Sequence, residues 1–140
     1  MHTAAALIKY MDDREHVARA LAAVAAQHRA NGDVKAARTV DRFAAWAFAQ
    51  AVGISLMLGG IKATWTVRPD DPRSHGVTLP DGLFVPTRPH AKTAALVLNG
   101  TRVRRVRLHG SDSARYVSAV IWEAMQKLGS PAADHPDAVA

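Results

Sequence analysis

Residues 33–60, DVKAARTVDRFAAWAFAQAVGISLMLGG, decide how the rest of the chain must be arranged. Asp33 can cap a helix that runs to about Leu58, where Gly59-Gly60 ends it. No charged residue occurs between Arg42 and Lys62. At 100° per residue, Phe43, Trp46, Ile54, Met57 and Leu58 share one face, while Phe48, Val52 and Leu56 point the opposite way. A helix apolar on all sides is expected to be buried on all sides, in a protein core or in lipid.

The nineteen uncharged residues 43–61 are long enough to span a bilayer. Phe43, Phe48, Val52, Ile54, Leu56, Leu58 and Ile61 contribute roughly −2 to −4 kcal/mol in total on an insertion scale. Gln50, Ser55 and three glycines oppose them, and most of the remainder is near-neutral alanine. The balance favours a core helix, with Trp46 packed against other helices, over a membrane-spanning one.

Outward from this helix the chain reads as one α+β domain over 1–129, followed by a tail, 130–140, expected to be mobile. Residues 1–60 form the helical part. Thr3 to Met11 reads as a short first helix. Asp12 and Glu15 form a capping-box-like start for a second, with a stripe at Val17, Leu21, Val24 and His28. Asn31-Gly32-Asp33 links it to the central helix as a hairpin. A Gly-Asp start before an Ala-rich helix faintly resembles a tetratricopeptide unit, but such repeats need about three copies for stability. The chain has one, and no family is assigned.

Residues 61–110 read as an antiparallel sheet of four or five short strands. Ile61, Ala63, Trp65 and Val67 alternate with polar residues, the period of a half-buried strand. Pro69 to Gly76 reads as a polar loop containing Asp70, Asp71 and His75. Pro80-Asp81-Gly82 is a turn between short strands, and Asn99-Gly100 is a strong hairpin signal. Residues 111–129 form a last helix capped by Ser111 or Ser113 and stopped by Gly129.

The net charge is +6, and it resides in the sheet segment: residues 61–110 carry nine basic and three acidic groups. Between Asp81 and Asp112 no acidic residue occurs, while Arg88, Lys92, Arg102, Arg104, Arg105 and Arg107 do. Such a block suits a polyanion. Strict alternation after Asn99-Gly100 would split Val103 from Val106 and Leu108, so a bulge at Arg104-Arg105 is expected. All three apolar residues then face the core. Arg102, one or both of Arg104 and Arg105, Arg107 and His109 face out, and Lys62, Thr64, Thr66 and Arg68 could extend the ladder. Arginine forks match phosphate oxygens, and a two-stranded ribbon fits the major groove.

Other chemistry finds little support. With no cysteine there is no disulfide framework or thiolate metal site. No two of the seven histidines have the i, i+4 helical spacing of a zinc site, and no P-loop, nucleophile elbow or dinucleotide fingerprint occurs. No catalytic residue, metal or cofactor is therefore expected. Met1 to Lys9 lacks a secretory-signal pattern, so a cytoplasmic protein is the default. Trp122 lies off the apolar stripe of the last helix and is a candidate contact in a homo-oligomer. Gln50 is expected to be a buried amide bonded to backbone. The expectation is a small non-enzymatic nucleic-acid-binding protein, for double-stranded DNA and dimeric. The alternative is an assembly protein, such as a structural subunit or protein inhibitor, whose basic face meets an acidic protein.

Overall fold

A computed structural model describes residues 3–68, 71–110 and 113–129, with Pro72 and Arg73 described by their backbone alone. Two helices lead, α1 (Ala4–Ala30) and α2 (Val34–Leu58). Five strands follow: β1 (Thr64–Arg68), β2 (Asp71–Thr78), β3 (Phe84–Pro86), β4 (Thr93–Leu98) and β5 (Thr101–Arg107). A last helix, α3 (Ala114–Lys127), closes an α+β fold. The tail expected over 130–140, Asp70 and the candidate cap Ser111 lie outside the described residues.

The first helix is continuous through Asp12, contrary to the expected break. Thr3 caps it, its hydroxyl accepting from Ala6 N–H at 3.1 Å. No glycine or proline interrupts residues 4–30, so nothing local stops the helix. Asp12 and Glu15 serve another element instead: Asp12 pairs with Arg115 of α3 at 3.3 Å, and Glu15 Oε1 accepts from Ala114 N–H at 2.7 Å. The buried face is also different from the apolar stripe. It is Met11, Ala18 and Ala25, spaced by sevens, whereas Val24 is exposed. Ala37, Ala44 and Ala51 repeat the same spacing on α2, which α1 packs against. Small side chains on both helices let the backbones approach closely.

Asp33 caps α2 as expected, accepting from Ala36 N–H at 3.0 Å. Burial on all sides holds only for two turns in its C-terminal half, where every residue from Ala47 to Ile54 is buried. On either side Phe43 is 54 % exposed, Trp46 41 %, and Met57 and Leu58 are exposed as well. Trp46 is thus not packed inside a helix bundle. The Arg14 guanidinium lies over its ring, 5.7 Å from the centroid. Phe43 and Trp46 lie mid-helix, where Ala37 and Ala44 are buried, so only one face of that half is covered, whereas Met57 and Leu58 sit at the C-terminal end. Among the described residues no helix is long and apolar enough to cross a membrane.

The sheet is a fully antiparallel meander in the order β1-β2-β3-β4-β5. Residues 71–76, read as loop, belong to β2, where Asp71, His75 and Gly76 pair with β1 and Gly76 also pairs with β3. Asp71, Ser74 and Gly76 offer no apolar alternation, but ladder hydrogen bonds come from the backbone and the hairpin with β1 extends past the core. The face toward the helices is fixed by Gly53 of α2, where an added Cβ would sit 3.0 Å from Trp65 and 3.6 Å from Val77. Val85 and Leu96 continue that row across the sheet. On the opposite face Gly76 admits the Phe84 ring. A Cβ there would be 2.8 Å from the ring tip and 2.2 Å from the Val85 carbonyl oxygen, so only glycine fits. A 2.7 Å hydrogen bond between Ser55 and Ser118 hydroxyls ties α3 to α2.

Candidate nucleic-acid interface

The β4–β5 hairpin turns at Asn99-Gly100, with φ of 52° and 80°. Two left-handed residues in sequence make the tight turn whose twist matches the flanking strands. From this turn the ladder runs Leu98↔Thr101 and Val97↔Arg102, then shifts to Leu96↔Arg104, Ala95↔Arg105, Ala94↔Val106 and Thr93↔Arg107. The unpaired residue is Val103, so a bulge exists but sits one position before the expected Arg104-Arg105. Val103 is 43 % exposed, not buried. The bulge turns that side chain to solvent.

This register settles which basic side chains share a face. Arg102, Arg105 and Arg107 stand opposite Val97, Ala95 and Thr93, on the face away from the helices. All three are exposed, and their facing partners are uncharged. Arg104 takes the other face, opposite buried Leu96 and in the parity of Val106 and Leu108. There it lines a groove with Glu123 and Lys127 of α3, which Arg105 and Arg107 also border, and its Nε is sealed from solvent without a hydrogen-bond partner.

The remaining candidates are dispersed. Lys92 is exposed just before β4, its carbonyl accepting from Leu108 N–H at 2.8 Å, and so has the parity of the helix side. His109 lies past β5 against Tyr116, with ring centroids 6.2 Å apart. Arg88 belongs to the β3–β4 loop. Thr64, Thr66 and Arg68 do occupy the outer face, but on β1, the far edge of the sheet. Four strand spacings, about 19 Å, separate them from β5. Paired Phe84 and Val97, both buried, lie between. The ladder is therefore confined to one hairpin.

Trp122 is half-buried and packs against the core, lining a shallow cleft with Ser55, Gly59 and Ser118. Gln50 is 6 % exposed. Its amide oxygen accepts from Arg14 Nε at 2.7 Å, so a side chain rather than backbone satisfies it. Among the described residues no group of three His, Cys, Asp or Glu side chains is placed to hold a metal ion.

A second constellation has no signature in the sequence. His75 and Thr87 face each other across β2 and the end of β3, where Thr87 N–H donates to the His75 carbonyl at 3.2 Å. Arg42 of α2 and Arg88 stand beside them around one cavity. Burial, together with the Arg42 charge, pushes the His75 pKa below the ordinary imidazole value. Four residues spread over more than forty positions carry no spacing that a linear reading could detect.

No known protein family, no curated protein and no solved structure matches this chain.

Proposed function

We propose that the protein is a small, non-enzymatic nucleic-acid-binding protein that grips the phosphates of double-stranded DNA through its β4–β5 hairpin. The observation that carries this reading is the common outward face of Arg102, Arg105 and Arg107. Their cross-strand partners are neutral, and no carboxylate occurs in the sequence between Asp81 and Asp112. An exposed arginine row made only for solubility or to block strand pairing is normally laced with both signs. A row of one sign suits the phosphate backbone, which each guanidinium can meet with two donors. The hairpin lies at the sheet edge, a position from which a two-stranded ribbon can enter the major groove. A cytoplasmic setting and a dimer, with Trp122 at the contact, belong to the same reading.

Equilibrium binding to duplex DNA across a salt series tests it. Three phosphate contacts per chain give a log–log slope of about −2.7, and a dimer using both copies about twice that. A second reading is favoured by β5 being an edge strand, paired on one side only. An acidic protein could add to that edge and neutralise the same arginines, as in an assembly subunit or inhibitor. It predicts binding with no nucleic acid present.

A further inference from the structure

β3 and β4 pair at one position, Phe84↔Val97, and then part. The space left between them and α2 is a cavity of about 340 Å3, lined by Asp41, Arg42, Ser74, His75, Thr87 and Arg88 among others. That is within the size range of small-molecule pockets. Two residues of its wall, Thr87 and His75, each carry a buried polar atom without a hydrogen-bond partner, Oγ1 and Nδ1 respectively. Thr87 as a whole is only 4 % exposed. Leaving such a group unpaired is costly, and two on adjoining residues of one cavity point to a missing partner.

The charges around these atoms define that partner. Arg42 and Arg88 make no ion pair with a described residue. The one carboxylate in the wall, Asp41, is already held by Arg29. The cavity is thus net positive, and the Thr87 hydroxyl adds a neutral donor to the two guanidinium forks. A carboxylate is satisfied by one fork. Two forks, a hydroxyl and an imidazole together call for an anion with more acceptor oxygens.

We propose that this cavity binds the phosphate group of a small molecule, held by Arg42, Arg88, the Thr87 hydroxyl and the His75 ring. None of Arg102, Arg105 and Arg107 lines the site, and it does not depend on the nucleic-acid reading. Its source is either free phosphate or a phosphate ester, for which the rest of the cavity leaves room.

Calorimetric titration of the full chain with inorganic phosphate and, separately, with adenosine monophosphate tests the proposal. Saturable one-to-one binding of either supports it, and tighter binding of the nucleotide identifies an ester as the source. Thr87→Val, a nearly isosteric change, should weaken binding about tenfold through loss of one bond to a charged ligand. Arg88→Ala should weaken it at least as much, whereas the pair Arg102→Ala and Arg107→Ala should leave it unchanged. In the unaltered protein, addition of phosphate should also shift the NMR signals of the His75 ring. The proposal is overturned if neither compound binds with a Kd below about 1 mM. It is equally overturned if binding survives Thr87→Val and Arg88→Ala but is lost with Arg102 and Arg107, which would be surface attraction alone.

Discussion

Arg104 and Leu96 face each other across the β4–β5 ladder, on the side of the sheet that carries the core. The arginine stem continues the apolar row of Val106 and Leu108 while its Nε is buried without a partner. One arginine of the cluster is therefore a structural element, and its neighbours Arg102, Arg105 and Arg107 are not. Replacing Arg104 by methionine retains an unbranched stem and removes the unsatisfied donor. Arg104→Met is expected to raise unfolding stability by about 1 kcal/mol in a denaturant titration. It should leave the salt slope for duplex DNA unchanged. A loss of stability would show that the guanidinium is satisfied in solution.

Glu15 joins the two ends of the molecule. Its carboxylate accepts from the first N–H of α3 at 2.7 Å, alongside the Ser113 hydroxyl that accepts from Tyr116 N–H at 3.2 Å. A carboxylate at a helix N-terminus satisfies an orphan donor and complements the positive end of the dipole. Glu15→Ala should cost about 1–2 kcal/mol of stability, comparable with loss of a helix cap. Glu15→Gln, which keeps an acceptor but no charge, should cost less. Equal effects of the two would assign the whole contribution to the carboxylate charge, because glutamine keeps both the acceptor and the packing.

Gly76 is the position where the sheet tolerates least. A Cβ placed there would meet the Val85 carbonyl oxygen at 2.2 Å and the Phe84 ring at 2.8 Å. Backbone cannot swing aside as a side chain can, so Gly76→Ala should destabilise by about 3 kcal/mol, the upper end of overpacking costs. Thermal unfolding followed by circular dichroism would report it as a lowered Tm. An unchanged Tm would mean that β2 and β3 do not pair as described.

Trp122 provides a test of self-association. If its half-buried ring anchors a dimer, Trp122→Ala should weaken association by about 2 kcal/mol or more, as interface tryptophans do. Sedimentation velocity over a concentration series measures this. A monomeric unaltered protein would leave Trp122 as packing over the cleft beside Ser55 and Ser118.

The parts of the fold that were legible in the sequence are those specified locally. Asp33 and Ser113 are caps with an oxygen within reach of their own helix, and Asn99-Gly100 specifies a tight turn whatever surrounds it. Features decided by distant partners were not. Asp12 and Glu15 look like a cap but are recruited by α3 about one hundred residues away. The buried alanines of α1 are invisible to a search for large apolar side chains. A bulge in β5 was legible, but the reason for it was not: it was expected to bring Val103 into the core beside Val106, and Val103 is instead exposed. Of the basic candidates, Arg102, Arg105 and Arg107 share one face, while Arg88, Lys92 and His109 fall elsewhere and Arg104 turns inward.

The most direct test of the nucleic-acid reading compares the salt dependence of duplex-DNA binding for the unaltered protein and for the pair Arg102→Ala with Arg107→Ala. Both side chains point away from the core, so the double change should leave the Tm unaltered. The slope of log K against log salt should fall by about 1.8 per chain, two contacts at about 0.9 each. Absence of duplex binding even at low salt, or a slope indifferent to the double change, would contradict the account and leave the acidic-protein partner in its place.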